Sequence, residues 1–108
     1  ATFLRKAATS ANYKFYALAG GPPARPGLLR GEGAEGGSIA LEVWSLPKTA
    51  FGAFMTGIPA PLGIGTVELS DGSSVKGFIC EASGTKGATD ITHLGDWRSF
   101  LAGQEIPA

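Results

Sequence analysis

The chain is poor in the residues on which most protein chemistry is built. A single cysteine, Cys80, and a single histidine, His93, stand among 108 residues. One cysteine excludes an intrachain disulfide, and with one histidine it cannot complete a Cys/His zinc site, so no metal is expected. An excess of charge is missing too. Nine Lys and Arg balance nine Asp and Glu, and no basic cluster supplies the phosphate contacts that a nucleic-acid partner requires. No apolar run approaches the roughly 20 residues that span a bilayer, and no charged-then-apolar leader opens the chain. No membrane partner is therefore expected, and the expected location is cytoplasmic. No G-x-S-x-G elbow accompanies His93, Asp96 and Ser99 to suggest a nucleophilic triad.

Glycine is what the chain has in excess. Seventeen Gly and seven Pro in 108 residues imply many turns and short elements, since average glycine usage is about 7%. At 44% hydrophobic and 17% charged, residues 1–108 read as one globular domain with a modest core. Cys80 reads as a small buried strand residue.

Along the chain, residues 2–8 are ambiguous between helix and strand. Over 11–18, Tyr13, Phe15 and Ala17 alternate with Asn12, Lys14 and Tyr16, the period of a strand with one buried side. Pro22, Pro23 and Pro26 make the segment from Gly20 to Gly27 a stiff loop. A short strand is expected at 28–30, and 31–37 is expected to be the most flexible loop. Residues 38–46 predict a strand with Ile39, Leu41 and Val43 on one side. Pro47 suits the first turn of a helix over 47–57, whose Phe51, Phe54, Met55 and Ile58 stripe is expected in the core. A hairpin follows, with strands at 65–70 and 75–81 around Asp71-Gly72, a dipeptide that tolerates positive φ. The tail from 89 to 102 predicts a helix, or a helix after a turn, with Trp97, Phe100, Leu101 and Leu94 on its apolar side and Asp96 near its start. Strands dominate, and the expected architecture is α+β: a curled, mostly antiparallel sheet or small mixed β-barrel with short helices packed outside.

Chemistry is sparse in this pattern. Gly63-Ile64-Gly65 and Gly20-Gly21 complete neither a dinucleotide fingerprint nor a P-loop, although a glycine-rich loop can hold a carboxylate on backbone N–H groups. Glu42 and Glu81 lie in or at the ends of apolar strands, where a carboxylate needs a hydrogen bond or a cavity. Such a group can serve as acid, base or anchor. Tyr16, Arg30 and Lys76 are further polar candidates.

Four ordered motifs resemble one family. Tyr16-Ala17-Leu18 with Gly21-Pro22-Pro23 and Pro26-Gly27-Leu28 is the first, and Glu42-Val43-Trp44 followed by Pro47 the second. The third is Pro59-Ala60-Pro61-Leu62-Gly63-Ile64-Gly65 with Lys76-Gly77-Phe78-Ile79-Cys80-Glu81. The fourth is Asp90-Ile91 with Gly95, Trp97 and Arg98. Together they are similar to the C-terminal domain of allophanate hydrolase over essentially the whole chain. The resemblance implies a γ-glutamylcyclotransferase-like fold and a place in urea or s-triazine nitrogen breakdown. It implies an amidase domain as partner and decarboxylation of its product, N-carboxycarbamate, without a cofactor. The expected ligand is a small carboxylated nitrogen compound. Tyr16, Pro61, Leu62, Gly63, Ile64 and Gly65 are expected to wall the cavity, with Glu81 and Glu42 as catalytic candidates.

Two departures qualify what the resemblance implies. The family carries, before the first residue matched here, an opening strand and a G-A-H-x-x-G-x-P-L loop with a histidine suited to general-base work. The chain is expected to lack that strand and loop, and His93 lies outside the motif. Cyclotransferases of this fold use a glutamate in the helix after the Glu42-Val43-Trp44-like strand, and Ala53-Phe54-Met55-Thr56-Gly57 offers none. The alternatives are therefore a non-catalytic assembly or docking module for an amidase domain, with homo-oligomerisation possible, or, less favoured, a cyclotransferase-like enzyme.

Overall fold

The computed structural model describes residues 1–20, 25–31 and 36–105. Among them the chain runs β1 (Thr2–Ala8), β2 (Tyr13–Ala17), β3 (Pro26–Arg30), β4 (Ala40–Ser45), α1 (Lys48–Thr56), β5 (Leu62–Glu68), β6 (Ser74–Cys80), β7 (Thr89–Asp90) and α2 (Trp97–Glu105). Turns of 3-10 helix lie at Ala82–Thr85 and Thr92–Leu94. Half of the Gly20–Gly27 loop and most of the 31–37 loop fall outside the described residues. No described helix is long and apolar enough to cross a membrane.

The alternation in β2 does what its pattern predicts: Tyr13, Phe15 and Ala17 are buried and join Ile39, Val67, Leu69 and Ile91 in one core. The segment that pattern left ambiguous, β1, is a strand paired antiparallel with β4, with a bulge between Phe3 and Arg5. Its period is unreadable because most of its residues are exposed on both faces. At the hairpin turn Gly72 takes φ +88°, the left-handed region that favours glycine. Asp71 Oδ1 accepts from the Ser73 N–H at 2.9 Å and closes the turn. The tail is not one helix. It contains the short strand β7, a 3-10 turn, and then α2, which Asp96 caps by accepting from the Ser99 N–H at 2.7 Å. Trp97 and Phe100 of α2 pack on the core, whereas Leu94 and Leu101 are exposed.

Three expectations need correction. The barrel does not close: the strands form three antiparallel sheets, β1–β4, β3–β2–β7 and β5–β6. Pro26, which has no N–H to donate, opens the edge strand β3. β3 lies against β6 without a ladder, so close that a Cβ added at Gly27 would stand 3.3 Å from Cys80 Cβ. The supposed Pro61–Gly65 loop is only a turn at Pro61. Leu62 to Gly65 are strand, in register from Leu62↔Cys80 to Gly65↔Gly77. Finally, α1 starts one residue later than expected, at Lys48, and buries none of its residues. Phe54 is 42% exposed and Met55 40%, so the aromatic stripe is not core.

One junction between the sheets runs through Thr9. Thr9, fully buried, donates its N–H to the Ile39 carbonyl at 2.9 Å and accepts from the Ile39 N–H on Oγ1 at 2.9 Å. Its carbonyl accepts from Ser38 Oγ at 2.6 Å. Next to it, Ser10 N–H donates to the Glu68 carbonyl and Ser70 N–H to the Ala8 carbonyl. The Tyr13 hydroxyl accepts from the Glu68 N–H at 2.8 Å. Thr9→Val keeps the shape but strands the Ile39 N–H, so unfolding in urea should show a loss of about 1–3 kcal/mol. Thr56→Val, on exposed α1, should change stability by no more than about 0.5 kcal/mol.

Candidate functional site

Two ribbons leave the Thr9 junction without a ladder between them: β1–β4 on one side and β5–β6 on the other. Ile39 and Val67, each 2% exposed, lie at the junction end, and along β4 half-buried Leu41 and Val43 alternate with exposed Ala40, Glu42 and Trp44. The chain crosses from the far end of β4 to the start of β5 by way of α1. The result is a cleft of about 780 Å³, floored by Phe15 and Leu28 and walled by Leu41, Val43, Ile64 and Val75. Phe51 and Phe54 of α1 complete it, Phe54 lying against Phe78 with ring centroids 5.6 Å apart. That volume lies in the range of small-molecule sites, which are mostly apolar with few polar groups.

Among the described residues, the ionisable side chains on its lining are Glu42 and Lys76. The Glu42 carboxylate is already engaged: it accepts from Arg98 at 3.1 Å and from the Trp44 indole N–H at 3.2 Å. Alternation along β4 puts its side chain on the face opposite Leu41 and Val43. Lys76 Nζ donates to Thr66 Oγ1 at 2.8 Å, the residue directly across the β5–β6 ladder.

The structure thus brings only part of the sequence-predicted set together. Leu62, Ile64 and Glu42 line the cleft. Tyr16 stands on the face of β2 opposite Phe15, between Gly27 and Asp90 of the neighbouring strands. Glu81 is exposed beyond β6, with its N–H donating to the Pro61 carbonyl at 2.9 Å. Pro61 packs on Gly84, where an added Cβ would overlap its ring. Gly63 and Gly65 contribute extended backbone to β5. At Gly65 an added Cβ would lie 2.5 Å from Ile79 Cδ1, which gives that glycine a packing reason. The residues that sequence reasoning missed are Leu41, Val43, Phe51, Phe54 and Phe78. The signal was present in the apolar stripe of α1, read as core instead of cleft.

Other candidate chemistry resolves into structure. His93 is exposed on the 3-10 turn, and Ser99 Oγ donates to Asp96 as part of the α2 cap. Burial pushes the Cys80 thiol up, the Glu81 charge adds to this, and Arg25 only partly opposes it; such a thiol is a poor nucleophile. Among the described residues, no group of three His, Cys, Asp or Glu is placed to hold a metal.

The family model for the allophanate hydrolase C-terminal domain matches residues 1–102. Urea amidolyase of Saccharomyces cerevisiae is 48% identical over 104 residues, a match that covers 94% of this chain and 6% of that protein. The crystal structure of Kluyveromyces lactis allophanate hydrolase superposes with a TM-score of 0.92 at 45% identity, over 96% of this chain and 18% of that one. A uropathogenic E. coli-specific protein of known structure superposes at 0.82 and 37% identity, over 93% of this chain and 76% of its own. The chain therefore spans a small part of the first two and most of the third.

Among the described residues, three carboxyls are held below the ordinary range. Hydrogen bonds from the Thr92 hydroxyl and N–H act on Asp90, with Lys14 assisting. Those from the Ser73 hydroxyl and N–H act on Asp71, and those from the Ser99 N–H and hydroxyl on Asp96. A depressed folded pKa gives stability that is complete above the unfolded value of about 3.9 and is lost as pH falls toward the folded value. The urea midpoint should accordingly fall as pH drops below about 4.5. Asp90→Asn should flatten that fall, whereas a midpoint unchanged down to about pH 3 would contradict the assignment.

Proposed function

The chain belongs to the family of allophanate hydrolase C-terminal domains, and from that premise we propose that it decarboxylates N-carboxycarbamate, the product of an amidase domain acting on allophanate. The observation that carries the reading is the apolar cleft between β4 and β5–β6. Decarboxylation needs neither a nucleophile nor a metal. The bond from nitrogen to one carboxyl carbon breaks, carbon dioxide leaves, the electron pair stays on nitrogen, and a proton from water completes carbamate. An apolar wall of Leu41, Val43, Ile64 and Phe78 withholds water from the departing carboxylate and favours the neutral gas. One fixed charge or donor elsewhere in the site is enough to hold the ligand and offset developing charge. The reaction belongs to urea breakdown, with the amidase domain as the upstream partner.

A second reading has its own observation. Phe3, Leu4 and Trp44 of the β1–β4 ribbon are 44%, 57% and 52% exposed, an apolar surface suited to docking an amidase domain. A cyclotransferase is not proposed, since α1 contains no carboxylate.

The test is to add the chain to an amidase domain supplied with allophanate and to follow ammonia and carbon dioxide separately. Ammonia release should be unchanged, and carbon dioxide release should accelerate at least about tenfold, the smallest effect worth calling catalysis. Unchanged carbon dioxide release would reject the decarboxylase. Co-elution of the two domains in that case would favour the docking reading.

A further inference from the structure

We propose that Lys76 is the anion-binding residue of the cleft, its ammonium fixed by Thr66 to receive one carboxylate of a small dicarboxylated ligand. The inference rests on the cleft being the ligand site and adds to that reading the residue that selects the ligand's charge.

Lys76 is the cationic side chain on a lining that is otherwise almost wholly apolar. Among the described residues, the acidic side chain on the same lining is Glu42, and it is ion-paired with Arg98. An incoming anion therefore meets a carboxylate that is already compensated. Lys76 takes part in none of the ion pairs among the described residues, which are Lys14–Asp90, Arg30–Glu68 and Arg98–Glu42. Its hydrogen-bond partner among the described residues is Thr66 Oγ1 at 2.8 Å. An ammonium has three donors, so two remain to be directed at a ligand.

Thr66 is the positioning residue. It stands opposite Lys76 in the register, so the hydrogen bond holds a four-carbon side chain that would otherwise sweep through several rotamers. Phe78 and Ile64, an opposed pair in the same ladder, also line the cleft. A ligand carboxylate held at Lys76 thus has an apolar wall beside it for a second group.

Malonate, with two carboxylates on one central atom, is the probe, and calorimetric titration of the 108-residue chain is the measurement. The unmodified chain should bind malonate, and Lys76→Met should weaken binding at least about tenfold, the scale of one lost charge-assisted hydrogen bond. Lys76→Arg should stay within about threefold of the unmodified chain, because it keeps the charge. Thr66→Val should weaken binding and Thr66→Ser should restore it, a pattern that a merely structural role for Thr66 would not give. Lys86→Met, on an exposed turn outside the cleft, changes net charge equally and should leave affinity unaltered. Malonamide, which carries no charge, should not discriminate between the unmodified chain and the Lys76→Met variant.

Failure of malonate to bind the unmodified chain, or equal affinity for Lys76→Met, overturns the proposal. Loss of binding with Lys76→Met alongside unaccelerated carbon dioxide release upholds the anion site and rejects only the decarboxylase. Accelerated carbon dioxide release with Lys76→Met as active as the unmodified chain does the reverse.

Discussion

The fold depends on the hydrogen bonds around Thr9. Three small sheets share no common ladder, and the two-stranded ribbons β1–β4 and β5–β6 would be marginal on their own. At Thr9 and Ser10 the chain spends its backbone groups and one buried hydroxyl on Ile39, Ser38 and Glu68, so that the root of β4 and the end of β5 are fixed to the same two residues. The Tyr13 hydroxyl adds β2 to the same junction through Glu68. Buried polar groups of this kind are stabilising only when satisfied, and at Thr9 they are.

The cleft follows from that arrangement. Two ribbons fixed at one end and without a ladder between them enclose space toward the other, and α1 spans it because the sequence must travel from Ser45 to Leu62. A closed barrel would have filled this volume with side chains. The open one leaves aromatic residues of α1 and β6 facing it and, among the described residues, only two ionisable side chains on its lining. The same feature that leaves α1 without a buried residue therefore supplies a site of low polarity. Chemistry that proceeds by excluding water suits such a site better than chemistry that needs a nucleophile.

Local pattern made much of this legible. The alternation of Tyr13, Phe15 and Ala17, the Asp71-Gly72 turn and the Asp96 cap each follow from a few adjacent residues, and each forms as its chemistry requires. The family was legible from four ordered motifs. Long-range outcomes were not. Whether Phe51 and Phe54 are core or cleft depends on whether β4 meets β5, and periodicity carries no record of that. The Gly63-Ile64-Gly65 segment looked like a loop because glycine marks loops, but Gly65 is there to admit Ile79. Glu42 was singled out for standing in an apolar strand, which it does, yet Arg98 lies 56 positions away and its pairing could not be read locally.

The central claim is that the gap between the two ribbons is where the ligand sits. Backbone amide shifts of the nitrogen-15-labelled chain, recorded as malonate is added, test it most directly. The shifts that move should cluster at Leu41, Val43, Ile64, Lys76 and Phe78, with Tyr16, Glu81 and the α2 cap at Asp96 unmoved. Movement centred on Tyr16 and Glu81, or on α2, with the cleft silent would contradict it.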